Sequence, residues 1–338
     1  MGRVGQGRRR AQARADRVRA GDHRRGEEAP GRLPEAAVGR LRRPAAQGAD
    51  REDPQARAAG AVLGRTRPGR LTVPVLTVRD GVRLHVREEG SGPTLLILPG
   101  WGVSTWWFRH QFAALSPRFR VVAYDPRGQG ESETARGQRV ARLAADLDEV
   151  IRHIGADQVH LVAWSGGGST VLQYIELYGA DRLGTLTLVG AGPKLMKADD
   201  WEHGFTDLAG AAGWVELIRT DFEAAARAVL PQFFAEPLSD DDLEVTVAEM
   251  CKCHPPGMAA ASWDFLTQDH RDVLPSVPVP TLVVTGSADT AVPAGNAPYL
   301  AAAIPDARLE VIEGTAHCPF LERPDAFNEV VEKFLAGR

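Results

Sequence analysis

Three cysteines in 338 residues are too few, and odd in number, to supply a disulfide framework. That scarcity argues against a secreted, cross-linked scaffold and places the protein in a reducing cytoplasm. No run approaches the roughly 18 apolar residues that a membrane-spanning helix needs. Residues 11–30 are interrupted by Arg, Asp and Glu, so the basic run Arg8, Arg9 and Arg10 is followed by no apolar segment of the kind an export signal carries. The most local shortage lies at the start. Residues 1–70 hold 18 Arg and 8 acids but no Lys and no Phe, Tyr or Trp, a net charge of +10.

Without large apolar groups that stretch cannot offset the entropy of ordering its backbone, and it reads as a disordered basic extension. It also fits a misassigned start, with the true product beginning near Val73. A cationic tail could neutralise phosphates, but the absence of aromatic stacking residues and of any recognisable motif argues against a nucleic-acid partner. Every aromatic, Cys and Lys falls in residues 71–338, which carry a net charge of −14 and must contain the folded domain.

In this second part, strand-like and helix-like segments alternate. Val75–Val78 and Val82–Arg87 flank Asp80 and Gly81, a hairpin signal. Six further β-rich runs follow, at Thr94–Leu98, Arg120–Tyr124, Val159–Trp164, Thr185–Val189, Thr281–Thr285 and Arg308–Ile312. Several are almost continuously apolar, as parallel strands buried on both faces are. Val140, Leu143, Leu147, Val150, Ile151 and Ile154 form one helical stripe, and Phe327, Val330, Val331 and Phe334 repeat the pattern near the end. The expected fold is α/β: a mostly parallel eight-stranded sheet covered by helices on both faces, with ligands outside the carboxyl ends of the strands. Between about residues 194 and 272 the alternation stops. That interval is too long for a plain loop and bears Trp201, Trp214, Phe222, Phe233, Phe234 and Trp263, so it reads as a helical lid insertion.

Three strand ends carry chemistry. After Val159–Trp164 comes Ser165, followed by Gly166, Gly167 and a helix expected from about Gly168. A nucleophile on so sharp a turn needs small residues two before and two after it, here Ala163 and Gly167, and the following helix points its positive end at a developing oxyanion. Asp289 follows the next-to-last strand and His317 the last. A serine hydroxyl needs a base to take its proton, which His317 could do, and Asp289 could hold the imidazole in one tautomer. The cluster Cys251, Lys252, Cys253 and His254 has zinc-ligand residue types but no distant fourth ligand, so no metal is expected. No cofactor is expected either. Cys318 reads as packing.

With these residues, and with Leu98–Gly102 after the third strand and Asp125–Ser132 after the fourth, the chain from about Val75 to Leu335 resembles the α/β-hydrolase superfamily. It is most similar to the small serine hydrolases of the esterase, lactonase and cofactor-free haloperoxidase-like group. The resemblance implies Ser165 as nucleophile, His317 as base and Asp289 as its partner, with the backbone N–H groups of Trp101 and Gly166 as oxyanion donors. Pro99 stands where the family has His, which leaves the anchoring of that loop open. The Asp125–Ser132 turn reads as scaffold. Trp101 and Trp164, adjoining the oxyanion loop and the nucleophile, are expected to face a substrate pocket, and Trp106, Trp107 and Phe108 to pack in the core. Branches with an Asp nucleophile are excluded by Ser165, and Gly190–Gly192 supplies no relocated acid. The implied activity is hydrolysis of a small-molecule carboxylic ester, lactone or thioester through an acyl-enzyme. A ligand-binding or signalling protein, a perhydrolase and a C–C bond hydrolase stay open as alternatives.

Overall fold

A computed structural model describes residues 75–134 and 137–337; the disordered reading of residues 1–70 lies outside the described residues. Eight strands form one sheet: β1 Val75–Thr77, β2 Arg83–Glu89, β3 Thr94–Leu98, β4 Arg120–Tyr124, β5 Val159–Trp164, β6 Leu183–Val189, β7 Thr281–Gly286 and β8 Ala307–Ile312. Their order is β1-β2-β4-β3-β5-β6-β7-β8. β1 pairs with β2, and β2 with β4, antiparallel; every later pairing is parallel. The hairpin, the eight strands and their mixed sense agree with the sequence pattern.

Successive side chains on a strand point to opposite faces, so the apolar runs feed two cores. Leu95, Ile97, Val162 and Val284 face helices α1 Arg109–Leu115 and α10 Pro324–Ala336. Leu96, Leu98, Leu161 and Val283 face α2 Val140–Ile154, α3 Gly166–Tyr178 and α8 Asn296–Ala303. The sequence stripe of α2 is the face it buries.

Behind the strand ends, the turn after β4 is pinned by charge. The Arg127 guanidinium is fully buried and pairs with Asp146 on α2 and with Asp80 in the β1–β2 turn. Breaking such a pair from one side costs about 3–5 kcal/mol, because it strands a buried charge.

Between β6 and β7 lie four α-helices, α4 Leu208–Thr220, α5 Phe222–Val229, α6 Asp240–Met250 and α7 Pro255–Thr267, with short 3-10 turns at Leu230–Gln232 and Leu274–Ser276, and α9 Pro319–Glu322 follows β8. Asp207, Asp221 and Ser239 cap α4, α5 and α6 by accepting a backbone N–H from the first turn. The interval is not wholly helical. Isolated bridges pair Lys194 with Asp269, Met196 with Thr206 and Ala198 with Trp201. At its neck Lys194 and Arg271 form ion pairs with Asp200 and Asp269. Among the described residues, no helix is long and apolar enough to cross a membrane.

Candidate active site

Ser165 sits between the end of β5 and the first turn of α3, at φ 53° and ψ −120°. Among the described residues it alone has positive φ without being glycine. Such a conformation costs about 1–3 kcal/mol and persists where the surroundings enforce it. Here the Ser165 N–H donates to the Val189 carbonyl at 2.8 Å, and the Ser165 carbonyl accepts from Gly168 N–H at 2.8 Å. The turn also requires Gly167, where a Cβ would lie 2.8 Å from the Leu98 carbonyl oxygen. The helix starts two residues earlier than its sequence pattern indicated, so its positive end begins directly after Ser165.

The structure brings Ser165, Asp289 and His317 together from three strand ends. Ser165 Oγ is 2.9 Å from His317 Nε2, and His317 Nδ1 is 2.9 Å from Asp289 Oδ2. With Nδ1–H donating to Asp289, Nε2 is left to accept the serine proton. The Asp289 and His317 side chains are 2% and 1% exposed, so the relay is screened from bulk water. The other Asp289 oxygen accepts the N–H groups of Ala291 and Val292, which fixes the carboxylate's orientation. Gly190 closes the floor. Its φ is +52°, and a Cβ there would come 2.8 Å from His317 Nδ1.

His317 is held by its own backbone and ring. Its carbonyl accepts the Trp164 indole N–H at 2.8 Å, and its ring lies 5.1 Å from both Trp164 and Phe233. This places Trp164 differently from the sequence expectation. It is 1% exposed and packs beneath the histidine with Trp107 and Phe320, away from the cavity. The reason is strand alternation: Trp164 shares the face of Val162, which points into one of the two cores. Trp107 and Phe108 are core, as expected, whereas Trp106 is half-buried and packs against the edge of that core.

Trp101 and Gly166 border the cavity beside Ser165. The Trp101 amide nitrogen lies 3.4 Å from the point a Cβ on Gly166 would occupy, so the two backbone segments run side by side. The loop carrying Trp101 is anchored without a histidine at position 99. Buried Gln129 accepts the N–H groups of Gly102 and Val103 through Oε1, and buried Asp125 accepts that of Thr105. The turn after β4 is therefore the mooring of this loop. On its other side the Trp101 indole packs against Trp214 and Phe222 at 5.5 and 5.8 Å, and its N–H donates to the Met258 carbonyl.

Glu322 is a second anchor that sequence reasoning missed. One of its oxygens accepts Ala316 N–H at 2.8 Å, next to His317, and the other accepts Ala235 N–H at 2.7 Å, in the segment between α5 and α6. Burial raises its carboxyl above the usual 4.5.

Above Ser165 is a cavity of about 300 Å³, at the small end of the range for ligand sites. Helices α4 and α7 and the Val229–Phe233 segment contribute much of its wall. Elsewhere, Cys251 is exposed, Cys253 is buried with its thiol pushed up to about 12, and His254 caps α7 by accepting Gly257 N–H. Among the described residues, no group of three or more His, Cys, Asp or Glu is placed to hold a metal ion. Cys318 is buried, and burial raises its thiol well above the usual 9.0.

Known proteins resemble this chain in sequence and fold. A family model described as alpha/beta hydrolase fold matches residues 93–324. The chain is 31% identical to a pimeloyl-[acyl-carrier protein] methyl ester esterase from Aeromonas hydrophila, over 75% of this chain and 99% of that protein. It is 24% identical to 3-oxoadipate enol-lactonase 1 from Acinetobacter baylyi, over 77% and 96% of the two chains. Among solved structures, an esterase from Exiguobacterium antarcticum superposes with a TM-score of 0.75 at 25% identity, covering 78% of this chain and all of that one. With the sheet order, the strand-end placement of Ser165 and the family match pointing the same way, the chain belongs to the alpha/beta hydrolase fold family.

Proposed function

We propose that the chain is a serine-dependent hydrolase of a small carboxylic ester, lactone or thioester, working through an acyl-enzyme on Ser165. The observation that carries this reading is the continuous Ser165–His317–Asp289 hydrogen-bond relay at the edge of an apolar cavity. The names of the relatives, an esterase and an enol-lactonase, support ester-bond chemistry.

In this reading His317 Nε2 takes the Ser165 proton as Oγ attacks the substrate carbonyl, and Asp289 stabilises the resulting imidazolium. The N–H groups of Trp101 and Gly166 receive the oxyanion, each contributing about 3 kcal/mol to the transition state. His317 then protonates the leaving alcohol, and water, activated by the same imidazole, releases the acid. Helices α4 to α7 act as the lid that excludes bulk water and shapes the acyl site. Ser165→Ala is expected to lower kcat for p-nitrophenyl ester hydrolysis by about 10⁴-fold or more, with the fold retained. Retention of more than a few per cent of the turnover would overturn the assignment.

A further inference from the structure

Among the described residues that line the cavity there is no Arg, Lys, Asp or Glu. Its walls are aromatic and aliphatic, with Trp101, Trp214, Phe205, Phe233, Phe265 and Leu266 among them, and its neutral polar groups other than Ser165 are Ser169, Thr206, Gln232 and Ser262. The one titratable side chain, His317, already engages Asp289 and Ser165 through its two ring nitrogens. The apolar character reaches solvent at Phe205, which lines the cavity while 42% exposed. Outside, residues 71–338 carry a net charge of −14.

Resting on the hydrolase reading, we propose that the cavity selects an uncharged ester or lactone and expels the carboxylate made from it. An anion entering this space gives up its hydration and meets neither a cation nor a charged donor in return. The surrounding negative domain adds long-range repulsion. An ester whose acyl chain bears a second carboxylate is therefore excluded. The same penalty acts on the product. Hydrolysis adds water across the acyl bond, RCO–OR′ + H₂O → RCOO⁻ + H⁺ + R′OH; the carbon–oxygen bond to R′O breaks, the leaving oxygen takes a proton through His317, and the acid ionises. A neutral substrate is thus converted, beside the Asp289 carboxylate, into an anion that the two oxyanion N–H groups can still touch but that no cation in the cavity walls holds. Product release is built into the choice of walls.

The test compares p-nitrophenyl pentanoate with p-nitrophenyl hydrogen glutarate, in which the terminal methyl of the five-carbon acyl chain is replaced by a carboxylate. The expected kcat/KM favours the neutral ester by at least 100-fold, and pentanoate inhibits only at concentrations at least tenfold above the KM of its ester. A preference below tenfold overturns the proposal. Calorimetric binding of ethyl pentanoate and monoethyl glutarate to the Ser165→Ala protein reads the selectivity without chemistry. At least tenfold tighter binding of the neutral ester is expected, and equal affinities overturn the proposal. If neither p-nitrophenyl ester is turned over, the hydrolase reading fails while the calorimetric comparison still decides the selectivity.

Discussion

The strand ends and the four-helix interval above them meet at one cavity but are built on different principles. At the strand ends, position is enforced by polar contacts: a positive-φ serine, an aspartate whose second oxygen is tied to two backbone amides, and a histidine whose carbonyl is held by an indole. In the interval, α4 and α7 present Trp214, Phe265 and Leu266 to the cavity, and the contact is mostly non-directional packing. The contrast assigns separate tasks. Directional bonds keep reacting atoms within tenths of an ångström, whereas apolar walls decide what can enter. Substitutions beneath the relay should therefore act on kcat, and those in the helices on KM.

Among substitutions that leave the three relay residues in place, the largest effect is expected at the floor. Gly190→Ala places a Cβ against His317 Nδ1 at a residue with φ +52°, and a misplacement of about 1 Å costs about 10²-fold. A kcat loss of about 100-fold or more, with KM changed less than threefold, would sharpen the division; a pure KM effect would break it. A smaller and opposite pattern is expected from Trp214→Ala, which removes a cavity wall that also packs on Trp101. The expected steady-state result is a rise in KM of about three- to tenfold with kcat within threefold, since the transition-state contacts proposed at Ser165 stay in place. A dominant fall in kcat would instead show that the helices hold the oxyanion loop as well as the substrate.

Glu322 joins the two regions, and its effect is on stability rather than rate. Because its carboxyl is raised above 4.5 by burial, the folded chain holds this proton more tightly than the unfolded chain does. Its contribution to stability is therefore greatest below pH 4.5 and is lost as pH rises through the raised value. Denaturant titrations between pH 4 and 7 should show this decline flattened in Glu322→Gln; an unchanged slope would mean that Glu322 does not set it.

How much of this could be read beforehand follows from the range of each interaction. Strands, hairpin and the α2 stripe are local periodicities, and Ser165, Asp289 and His317 announce themselves by following strands in order. Gln129 and Glu322 do not. Gln129 reaches Gly102 across 27 residues, and Glu322 reaches Ala235 across 87, so no spacing rule connects them. The signal for Gln129 was a lone amide in a glycine-rich turn, which reads equally well as solvent-exposed. Trp164 adjoins Ser165 along the chain but not in the cavity, because alternation along β5 sends its ring into the core. The cavity's dimensions depend on how four helices pack, which local pattern does not encode.

In the proposed reaction Ser165 is the nucleophile and His317 activates it. Their roles are tested most directly by treating the intact protein with a fluorophosphonate and locating the adduct by peptide mass spectrometry. The expected result is a single covalent adduct on Ser165 that is lost in folded His317→Ala protein. A folded, ester-hydrolysing protein that remains unlabelled at Ser165, or that carries the adduct on another residue, would contradict it.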